Sequence, residues 1–182
     1  MPEITITGTP AIIDDFDAYP PKAQRSIVRA INRGILAART QISRDVARDS
    51  GLKVGVVRSA IRQRNATLGL PQARLATGLN RIPLVDFGAR GPEPSRGRGR
   101  GVTYKIGSGG RGRLNSAFLA TMKSGHRGVF RRVGTKRLGI IELYGPSLGQ
   151  VFAKYRAAAL ERGLEVFIST LDHELDYRKG TA

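Results

Sequence analysis

Two histidines, His126 and His173, are the side chains of this chain best suited to acid–base chemistry near neutral pH. Nucleophilic catalysis needs a nucleophile, a base and an orienting group within reach of one another, and the base is usually histidine. His126 lies in the turn-like sequence from Ser124 to Gly128, whereas His173 lies among acidic residues near the C-terminus. Since the chain has no cysteine and neither histidine has a recognisable set of partners, we predict no catalytic residues and a structural or interface role for His126.

Carboxylates cluster near the N-terminus, where Asp14, Asp15 and Asp17 precede two prolines. Three acids in four residues could bind a divalent cation, but the glycine and the spaced oxygen ligands of a calcium loop are missing. The ordinary alternative is that acidic side chains precede a helix, whose N-terminus carries partial positive charge. The glycine-rich segment also lacks the terminal Gly-Lys-Ser or Gly-Lys-Thr of a phosphate loop. We therefore predict no metal site and no cofactor.

Arginine and lysine are concentrated in the middle of the sequence, and they account for the whole net charge of +17. Residues 53–137 contain 19 basic side chains but only two acids, Asp86 and Glu93, whereas the remaining residues carry 12 of each sign. Charge that served solubility alone would be spread more evenly. The distribution predicts a surface that meets an anionic partner, either phosphate or an acidic protein face.

Length and composition indicate a single domain, 1–182, with an aliphatic core. A chain of 182 residues can bury one core without splitting. Hydrophobic residues make up 40% of it, which argues against a wholly disordered protein, and only 6% are aromatic. No apolar run approaches the roughly 20 residues that cross a bilayer, and the first ten residues do not resemble a signal peptide. We expect no membrane association, and folding in a cytoplasm.

Two long segments have the spacing of amphipathic helices. Apolar or small residues recur at steps of three and four from Lys22 to Ser50, and an apolar face also runs from Leu148 to about Arg178. The first helix would be roughly 40 Å long, which exceeds the usual globular length and favours packing against a second chain. A shorter helix is predicted from Leu52 to Asn65. The resulting helix–turn–helix outline raises a DNA-reading alternative, which the length of the first helix and the strands that follow disfavour.

The central sequence is rich in strand patterns, and its best stretch runs from Phe118 to Ser147. Turn signals there separate three apolar or alternating runs, which predict an antiparallel ribbon: Phe118–Met122, Val129–Val133 and Leu138–Leu143. Shorter strands are predicted at Glu3–Gly8, Leu70–Thr77, Ile82–Phe87 and Val102–Ile106. Only the terminal helices are long enough to cover such a sheet. We therefore predict an α+β fold, with a central antiparallel β-sheet packed by long N-terminal and C-terminal helices.

A glycine- and arginine-rich segment, residues 88–115, is predicted to form a flexible basic β-hairpin arm. Nine glycines and six arginines lie between Gly88 and Arg113, so little apolar surface is available to offset the entropy of ordering the chain. Arg-Gly runs also occur in RNA-binding tails, although the aromatic residues that stack on bases are missing here. A nucleic-acid-binding module is therefore the alternative function. The arginines expected on the arm are Arg96, Arg98, Arg100, Arg111 and Arg113.

The second strand of the ribbon and the turn before it are the predicted assembly interface. Gly125 and Gly128 bracket a tight turn that aims two side chains outward. On the strand, alternate residues share a face, so Phe130 would point to the core and Arg131 away from it. A planar guanidinium group there can pair with an acidic neighbour. The residues predicted for this interface are His126, Arg127, Phe130, Arg131 and Arg132.

Three stretches, in this order, resemble the prophage minor tail protein Z family of lambda-like tailed phages: IPLVDFGAR (82–90), AFLATMKSGHRGVFRR (117–132) and IIELYGPS (140–147). With the helix-forming sequence before them, the resemblance covers about residues 25–155. It implies a structural virion protein without catalytic activity. Such a protein would be a minor tail or tail-completion component at the head-proximal end, or neck, of a long non-contractile tail.

The resemblance also implies partners and a location. We expect a homo-oligomeric ring, six-fold like the tail, beside neighbouring tail and neck proteins such as the tail terminator or the tail tube. DNA would pass close by in the lumen. Head-to-tail packing around a closed axis is the general way to build such a ring. The protein is expected in the virion, after assembly in the host cytoplasm.

Overall fold

The computed structural model describes residues 3–7, 16–78, 80–93, 101–134 and 139–179, with side chains for all of these except 6–7 and 175–179. This part of the chain contains three α-helices: α1 Pro21–Ser50, α2 Val54–Ala60 and α3 Leu148–Lys179. It also contains two 3-10 helices, Phe16–Ala18 and Leu84–Phe87. Together with several antiparallel sheets they confirm the predicted α+β class. None of the helices so described is long and apolar enough to cross a membrane.

The described strands form four small antiparallel sheets, where one central sheet is predicted. Their bounds are β1 Glu3–Thr7, β2 Ile61–Arg64, β3 Gln72–Thr77, β4 Arg81–Pro83, β5 Val102–Tyr104, β6 Gly112–Leu114, β7 Ala117–Thr121, β8 Arg127–Arg132, β9 Ile140–Glu142 and β10 Tyr144–Ser147. The sheet orders are β1-β3-β2, β10-β4, β5-β6 and β7-β8-β9. Each strand has three to six residues and pairs with one or two neighbouring strands.

Contacts divide the chain into two compact units. The helical unit comprises Met1–Asp45, Arg58–Gly78 and Gly149–Ala182, and it contains most of α1 and α3 with the β1-β3-β2 sheet. The ribbon unit comprises Val46–Val57 and Leu79–Leu148, and it contains the other three sheets, including the predicted ribbon. Strands β1, β2 and β3 therefore share a unit with most of the two long helices.

Helix α1 buries one apolar face, as its spacing predicts. The residues on this face, each at most 5% exposed, are Ile27, Ile31, Ile35, Ala38 and Ile42. Steps of three and four residues place them on one side of a helix. The helix ends before Gly51, whose φ of 73° is the left-handed conformation that glycine adopts without a steric penalty. The Gly51 N–H donates to the Ala47 carbonyl oxygen at 2.9 Å and closes the last turn.

Helices α1 and α3 cross closely within the helical unit. A Cβ atom placed on Gly34 would lie 2.6 Å from the backbone oxygen of Gly163 and 3.1 Å from Cβ of Phe167. The 3.1 Å distance is shorter than the optimal separation of about 3.5 to 4.0 Å between non-bonded carbon atoms, and the 2.6 Å distance to oxygen is shorter still. Glycine at position 34 therefore allows the two backbones to approach this far. Gly163, which interrupts the apolar pattern of α3, lies at this crossing.

The C-terminal part of α3 is tied to α1 by a charged cluster. Glu174 Oε2 lies 2.6 Å from Arg29 Nη2 and accepts a hydrogen bond from the buried Ser26 hydroxyl at 3.1 Å. Acidic residues at a helix C-terminus oppose the helix dipole, and a basic partner offsets this. For Glu174 that partner is Arg29, on the first helix of the same chain.

The helix predicted from Leu52 to Asn65 is wrong in its second half. Helix α2 ends at Ala60, and the next four residues form β2, with Ile61 opposite Thr77 on β3. Pairing with β3 satisfies the backbone groups of this segment and leaves Ile61 only 3% exposed. This gain outweighs the small helical preference of a four-residue stretch.

The strand predicted from Ile82 to Phe87 is also only partly correct. The chain is extended from Arg81 to Pro83, after which Leu84–Phe87 forms a 3-10 helix. Leu84 and Phe87 are both buried, at 4% and 1% exposure. Three residues make one turn of a 3-10 helix, so both side chains reach the same side, whereas an extended chain would put them on opposite faces.

The ribbon unit has a core of its own. Phe87, Val102, Leu119 and Val129 are each at most 3% exposed. Gly145 of β10 lies against the Phe87 ring so closely that an added Cβ atom would overlap it. The apolar residues of the ribbon are therefore covered, at least in part, by residues of the same unit.

Candidate assembly surface

The sheet β7-β8-β9 holds the residues predicted for the interface, and its register fixes which of them share a face. Phe130 on β8 lies opposite Phe118 on β7 and opposite Glu142 on β9. Directly paired residues lie on the same face of a sheet, so these three side chains form a row across it. Arg131, the next residue along β8, lies on the other face.

Glu142 is the centre of a polar cluster beside the Phe130 ring. His126 Nε2 lies 2.9 Å from Glu142 Oε1, and the Tyr144 hydroxyl donates to Glu142 Oε2 at 2.8 Å. The His126 and Phe130 rings meet edge to face, with centroids 6.4 Å apart and planes at 85°. We call His126, Phe130, Glu142 and Tyr144 the Glu142 cluster. Only 5% of Phe130 is exposed, and polar neighbours cover one side of its ring.

The carboxylate of Glu142 changes the acidity of its tyrosine partner. The pKa of Tyr144 is raised above its ordinary value of 10.0, first because its hydroxyl donates a hydrogen bond to Glu142. Desolvation and the negative charge of Glu142 act in the same direction. Tyr144 is 48% exposed, so at neutral pH the cluster presents an uncharged tyrosine at the protein surface.

Gly128 makes room for the cluster. A Cβ atom at this position would lie 2.8 Å from Glu142 Oε1 and 2.9 Å from two carbon atoms of the Phe130 ring. The sequence assigns both Gly125 and Gly128 to a turn. Gly125, with a φ of 82°, is a turn residue, whereas Gly128 belongs to β8 and pairs with Ala120 on β7. Glycine is therefore needed at position 128, because the Glu142 carboxylate and the Phe130 ring pack directly over the strand there.

An aromatic pair and an arginine extend the same face of the sheet. The Phe118 and Phe130 rings have centroids 6.3 Å apart and planes inclined at 35°. The guanidinium carbon of Arg132 lies 5.5 Å from the centroid of the Phe118 ring, within the range of a cation–π interaction. Arg132, a predicted interface residue, is thus held against its own sheet although it is exposed.

Arg127 and Arg131 are exposed on the opposite face of β8. Val129 lies between them on that face and is fully buried. The predicted division of the strand, with Phe130 toward the core and Arg131 away from it, is therefore too simple. Val129 enters the core on the arginine face, and Phe130 is covered on the other face by its polar neighbours His126 and Glu142.

The chain matches the family described as prophage minor tail protein Z over residues 8–178, which is nearly its whole length. It belongs to that family. It has no significant match among curated proteins and none among solved structures. The family match confirms the resemblance found in the sequence, and it makes the chain a structural component of a phage tail that works among other tail proteins.

In this member of the minor tail protein Z family, the basic arm is described only in part. Three of its five predicted arginines lie outside the described residues: Arg96, Arg98 and Arg100. Arg111 Nη2 donates to the backbone oxygen of Gly88 at 2.9 Å and to Thr103 Oγ1 at 3.3 Å. Arg113 is exposed on β6, opposite Thr103 on β5. Arg111 thus links two backbone segments of its own chain.

A Gly-x-Ser-x-Gly motif lies at Gly145–Gly149. In hydrolases this motif places a nucleophilic serine on a strained turn between a strand and a helix. Ser147 does end β10 directly before α3. However, no described residue other than glycine has a positive φ, and within the described part the Ser147 hydroxyl makes no hydrogen bond to a basic side chain. The described structure therefore gives this tail protein's serine neither the elbow conformation nor a general base.

The N-terminal acids are placed only in part. Asp14 and Asp15 lie outside the described residues, and Asp17 is exposed in the first 3-10 helix. Among the residues that are described, no three His, Cys, Asp or Glu side chains come together in a way that could hold a metal ion.

Sequence patterns did not single out Glu142 and Tyr144, although both are central to the cluster. The turn at Gly125 can be recognised in the sequence. It fixes the register of β7 on β8 and so pairs Phe118 with Phe130. The link from β8 to β9 has seven residues, 133–139, and no two-residue turn signal. The position of Glu142 depends on the register of β9, and the sequence of this link does not determine that register.

Proposed function

We propose that this tail protein is a tail-completion component at the head-proximal end, the neck, where it acts through contacts with other proteins. We propose further that it works as a homo-oligomeric ring of six copies, next to a neighbour such as the tail terminator or the tail tube. Membership of the minor tail protein Z family supports the tail role. The central concentration of basic side chains supports a place beside an anionic surface, with acidic protein as the first candidate and lumenal DNA as the second.

The observation that carries this proposal is the arginine face of β8. Arg127 and Arg131 are exposed on the same side of one strand, about 13 Å apart at roughly 3.3 Å per residue. Both residues pair with β7, Arg127 with Thr121 and Arg131 with Ala117, so this spacing is fixed. Two guanidinium groups at a fixed spacing can each form a bidentate pair with a partner carboxylate. A single exposed ion pair contributes only about 0 to 1 kcal/mol, so a useful contact needs both arginines and a partner that shields them from water.

The test is to replace Arg127 and Arg131 together with alanine and to measure folding and tail completion separately. We expect near-normal thermal unfolding and a loss of completed tails in a complementation assay. The matched control is Arg62→Ala, which removes an exposed arginine from β2, outside the ribbon. Normal tail yield with the double variant would reject the contact, and a loss of folding would assign the arginines a structural role.

Copy number is a separate part of the proposal. Six copies are expected because the ring has to match a six-fold tail, and head-to-tail packing gives every copy the same two contacts. Mass measurement of isolated necks would count the copies. A single copy per virion would reject the ring and leave the tail-completion role to be tested on its own.

A nucleic-acid-binding function is the second candidate, and the net charge of residues 53–137 favours it. Phosphate binding releases counterions, so affinity falls linearly in the logarithm of salt concentration. Titration of the purified chain with random-sequence duplex DNA at several salt concentrations measures that slope. A steep slope with micromolar affinity at physiological salt would favour DNA, whereas weak binding would favour an acidic protein partner.

A further inference from the structure

Helix α1 exposes an apolar side chain between basic ones. Leu36 is 55% exposed and lies between two open grooves of about 390 and 430 Å³, both of which are also lined by Arg33. Arg44 lines the first groove, and Arg29 lines the second. Within the described part of the chain, the guanidinium groups of Arg33 and Arg44 form no ion pair or hydrogen bond. We call Leu36 with Arg33 and Arg44 the basic groove.

Helix α3 exposes a surface of the opposite charge. Leu164 and Ile168 are 37% and 55% exposed, and with Glu161 and Glu165 they line an open depression of about 380 Å³. Positions 161, 164, 165 and 168 follow the spacing of one helix face. Glu161 forms no ion pair among the described residues, and Glu165 pairs with Arg162 at 2.8 Å on the open surface. We call these four residues the acidic stripe.

The two surfaces lie in the same compact unit but face different directions. The buried face of α3 contains Ala159, Gly163 and Phe167. With about 100° between successive residues of a helix, the acidic stripe is centred roughly 150° from that buried face, on the outward side of α3. Arg162 and Val166, which line the groove around Leu36, lie on the flank of the buried face that is turned away from the stripe. One copy can therefore offer its stripe and its groove to two different neighbours.

We propose that the acidic stripe of one copy docks in the basic groove of a second copy of this chain. The apolar centres, Leu164 and Ile168 on one side and Leu36 on the other, would be buried together. Around them, Glu161 and Glu165 would meet Arg33 and Arg44. The contact is heterologous, because it joins two different surfaces, and its repetition closes into a ring when the rotation between copies allows.

Charge complementarity selects a second copy as the partner. A nucleic acid would meet the arginines of the groove, but Leu36 adds nothing to phosphate binding. An acidic partner protein would account for the groove and leave the acidic stripe unexplained. A second copy accounts for both surfaces, since each apolar centre is rimmed by the charge that the other lacks. The proposal rests on the proposed function only in taking an oligomer as the working form.

Sedimentation velocity of the purified full chain, over a range of concentrations, tests the contact. We expect self-association in the native chain. Two charge-reversed variants, Arg33→Glu with Arg44→Glu and Glu161→Arg with Glu165→Arg, are each expected to associate at least tenfold more weakly. The chain carrying all four changes restores opposite charges across the contact and is expected to regain association. A merely structural role of these side chains predicts no such rescue.

The apolar centre is tested in the same experiment. Leu36→Asp is expected to weaken association at least tenfold. Leu70→Asp, which changes a leucine of similar exposure at 59%, is the matched control and is expected to leave association unchanged. Circular dichroism of each variant checks that it is folded.

Three outcomes would overturn the proposal: a native chain that stays monomeric, a charge-reversed variant that associates normally, or a four-fold variant that remains dissociated. Loss of DNA binding in the Arg33 and Arg44 variant, with association unchanged, would assign the groove to nucleic acid instead. A monomeric chain that still completes tails would remove this contact and leave the proposed tail-completion role standing. A chain that associates as expected but fails to complete tails would support this contact and reject the tail-completion role.

Discussion

Both units of the chain contain a glycine at a close approach, but the obstacle beside the glycine differs. In the helical unit, a Cβ atom at Gly34 would meet the backbone oxygen of Gly163 at 2.6 Å. In the ribbon unit, a Cβ atom at Gly128 would meet side-chain atoms of Glu142 and Phe130 at 2.8 and 2.9 Å. A backbone packed between two helices cannot yield without separating them, whereas a carboxylate can rotate to another rotamer. The helix crossing is therefore the more rigid of the two contacts.

The sharpest test of this comparison is Gly34→Ala. Overpacking typically costs about 1 to 3 kcal/mol, and the better helix propensity of alanine returns about 1 kcal/mol. We expect a net loss of up to about 2 kcal/mol in the free energy of unfolding, measured by urea denaturation. Gly55→Ala in α2 is the control, since a Cβ atom there meets nothing within 4 Å. It is expected to be neutral or to gain up to about 1 kcal/mol. Equal gains in both variants would contradict the close crossing.

Gly128→Ala is expected to have a smaller effect, a loss of about 1 kcal/mol or less, because the Glu142 carboxylate can swing away from the added methyl group. That movement breaks the contacts of Glu142 with His126 and Tyr144. The variant should therefore lower the raised pKa of Tyr144 while it changes unfolding little. Gly69→Ala, in open space, is the matched control. A loss as large as that of Gly34→Ala would show that the Phe130 ring, and not the carboxylate, is the obstacle.

The sequence predicted the elements whose pattern extends over many residues. Helix α1 was predicted within one residue of its observed start at Pro21, because buried isoleucines recur through the whole segment. The three strands of the ribbon were also predicted, since glycine turns and apolar runs delimit them. Short elements were less predictable. Ile61 to Arg64 has no preference strong enough to decide between helix and strand, and pairing with β3 decides it.

The candidate site was predictable only to the level of one strand. Arg127 and Arg131 lie exposed on one face of β8, as alternation indicates. The burial of Phe130 beneath His126 and Glu142 was not predictable, because it depends on the register of β9. A period of two residues tells which side chains share a face, but it does not tell which face is covered or by what.

A second difference between the units concerns pH, since Asp86 in the ribbon unit has a shifted pKa. Burial raises its pKa above 3.8, and the charge of Lys53 partly opposes this. The folded chain thus binds the proton more tightly than the unfolded chain. The contribution of Asp86 to stability is therefore full below about pH 3.8 and is lost as the pH rises through the folded-state pKa.

Asp86→Asn should accordingly gain stability relative to the native chain as the pH is raised from about 3 to 6, by less than the glycine effects. Lys53→Gln removes the neighbour that favours the carboxylate, so it should lose stability at the upper pH and not at the lower one. Urea denaturation at a series of pH values measures both differences. Parallel curves for Asp86→Asn and the native chain would contradict a raised pKa at this position.

The smallest effect is expected at Tyr144, where the readout is a titration and not a stability. Its pKa is raised because the hydroxyl proton is held by the Glu142 carboxylate and because ionisation would place two negative charges side by side. The contribution of this contact to stability is present below the ordinary pKa of 10.0 and is lost as the pH rises through the raised value. Glu142→Gln keeps an acceptor for the hydroxyl but removes the charge, so the pKa of Tyr144 should fall toward 10.0. Ultraviolet titration of phenolate, with Tyr144→Phe subtracted to isolate this residue among the five tyrosines, measures the midpoint. Glu161→Gln is the control for loss of a remote carboxylate. An equal shift of the Tyr144 pKa in both variants would mean that net charge sets the acidity of Tyr144, and not the contact within the Glu142 cluster.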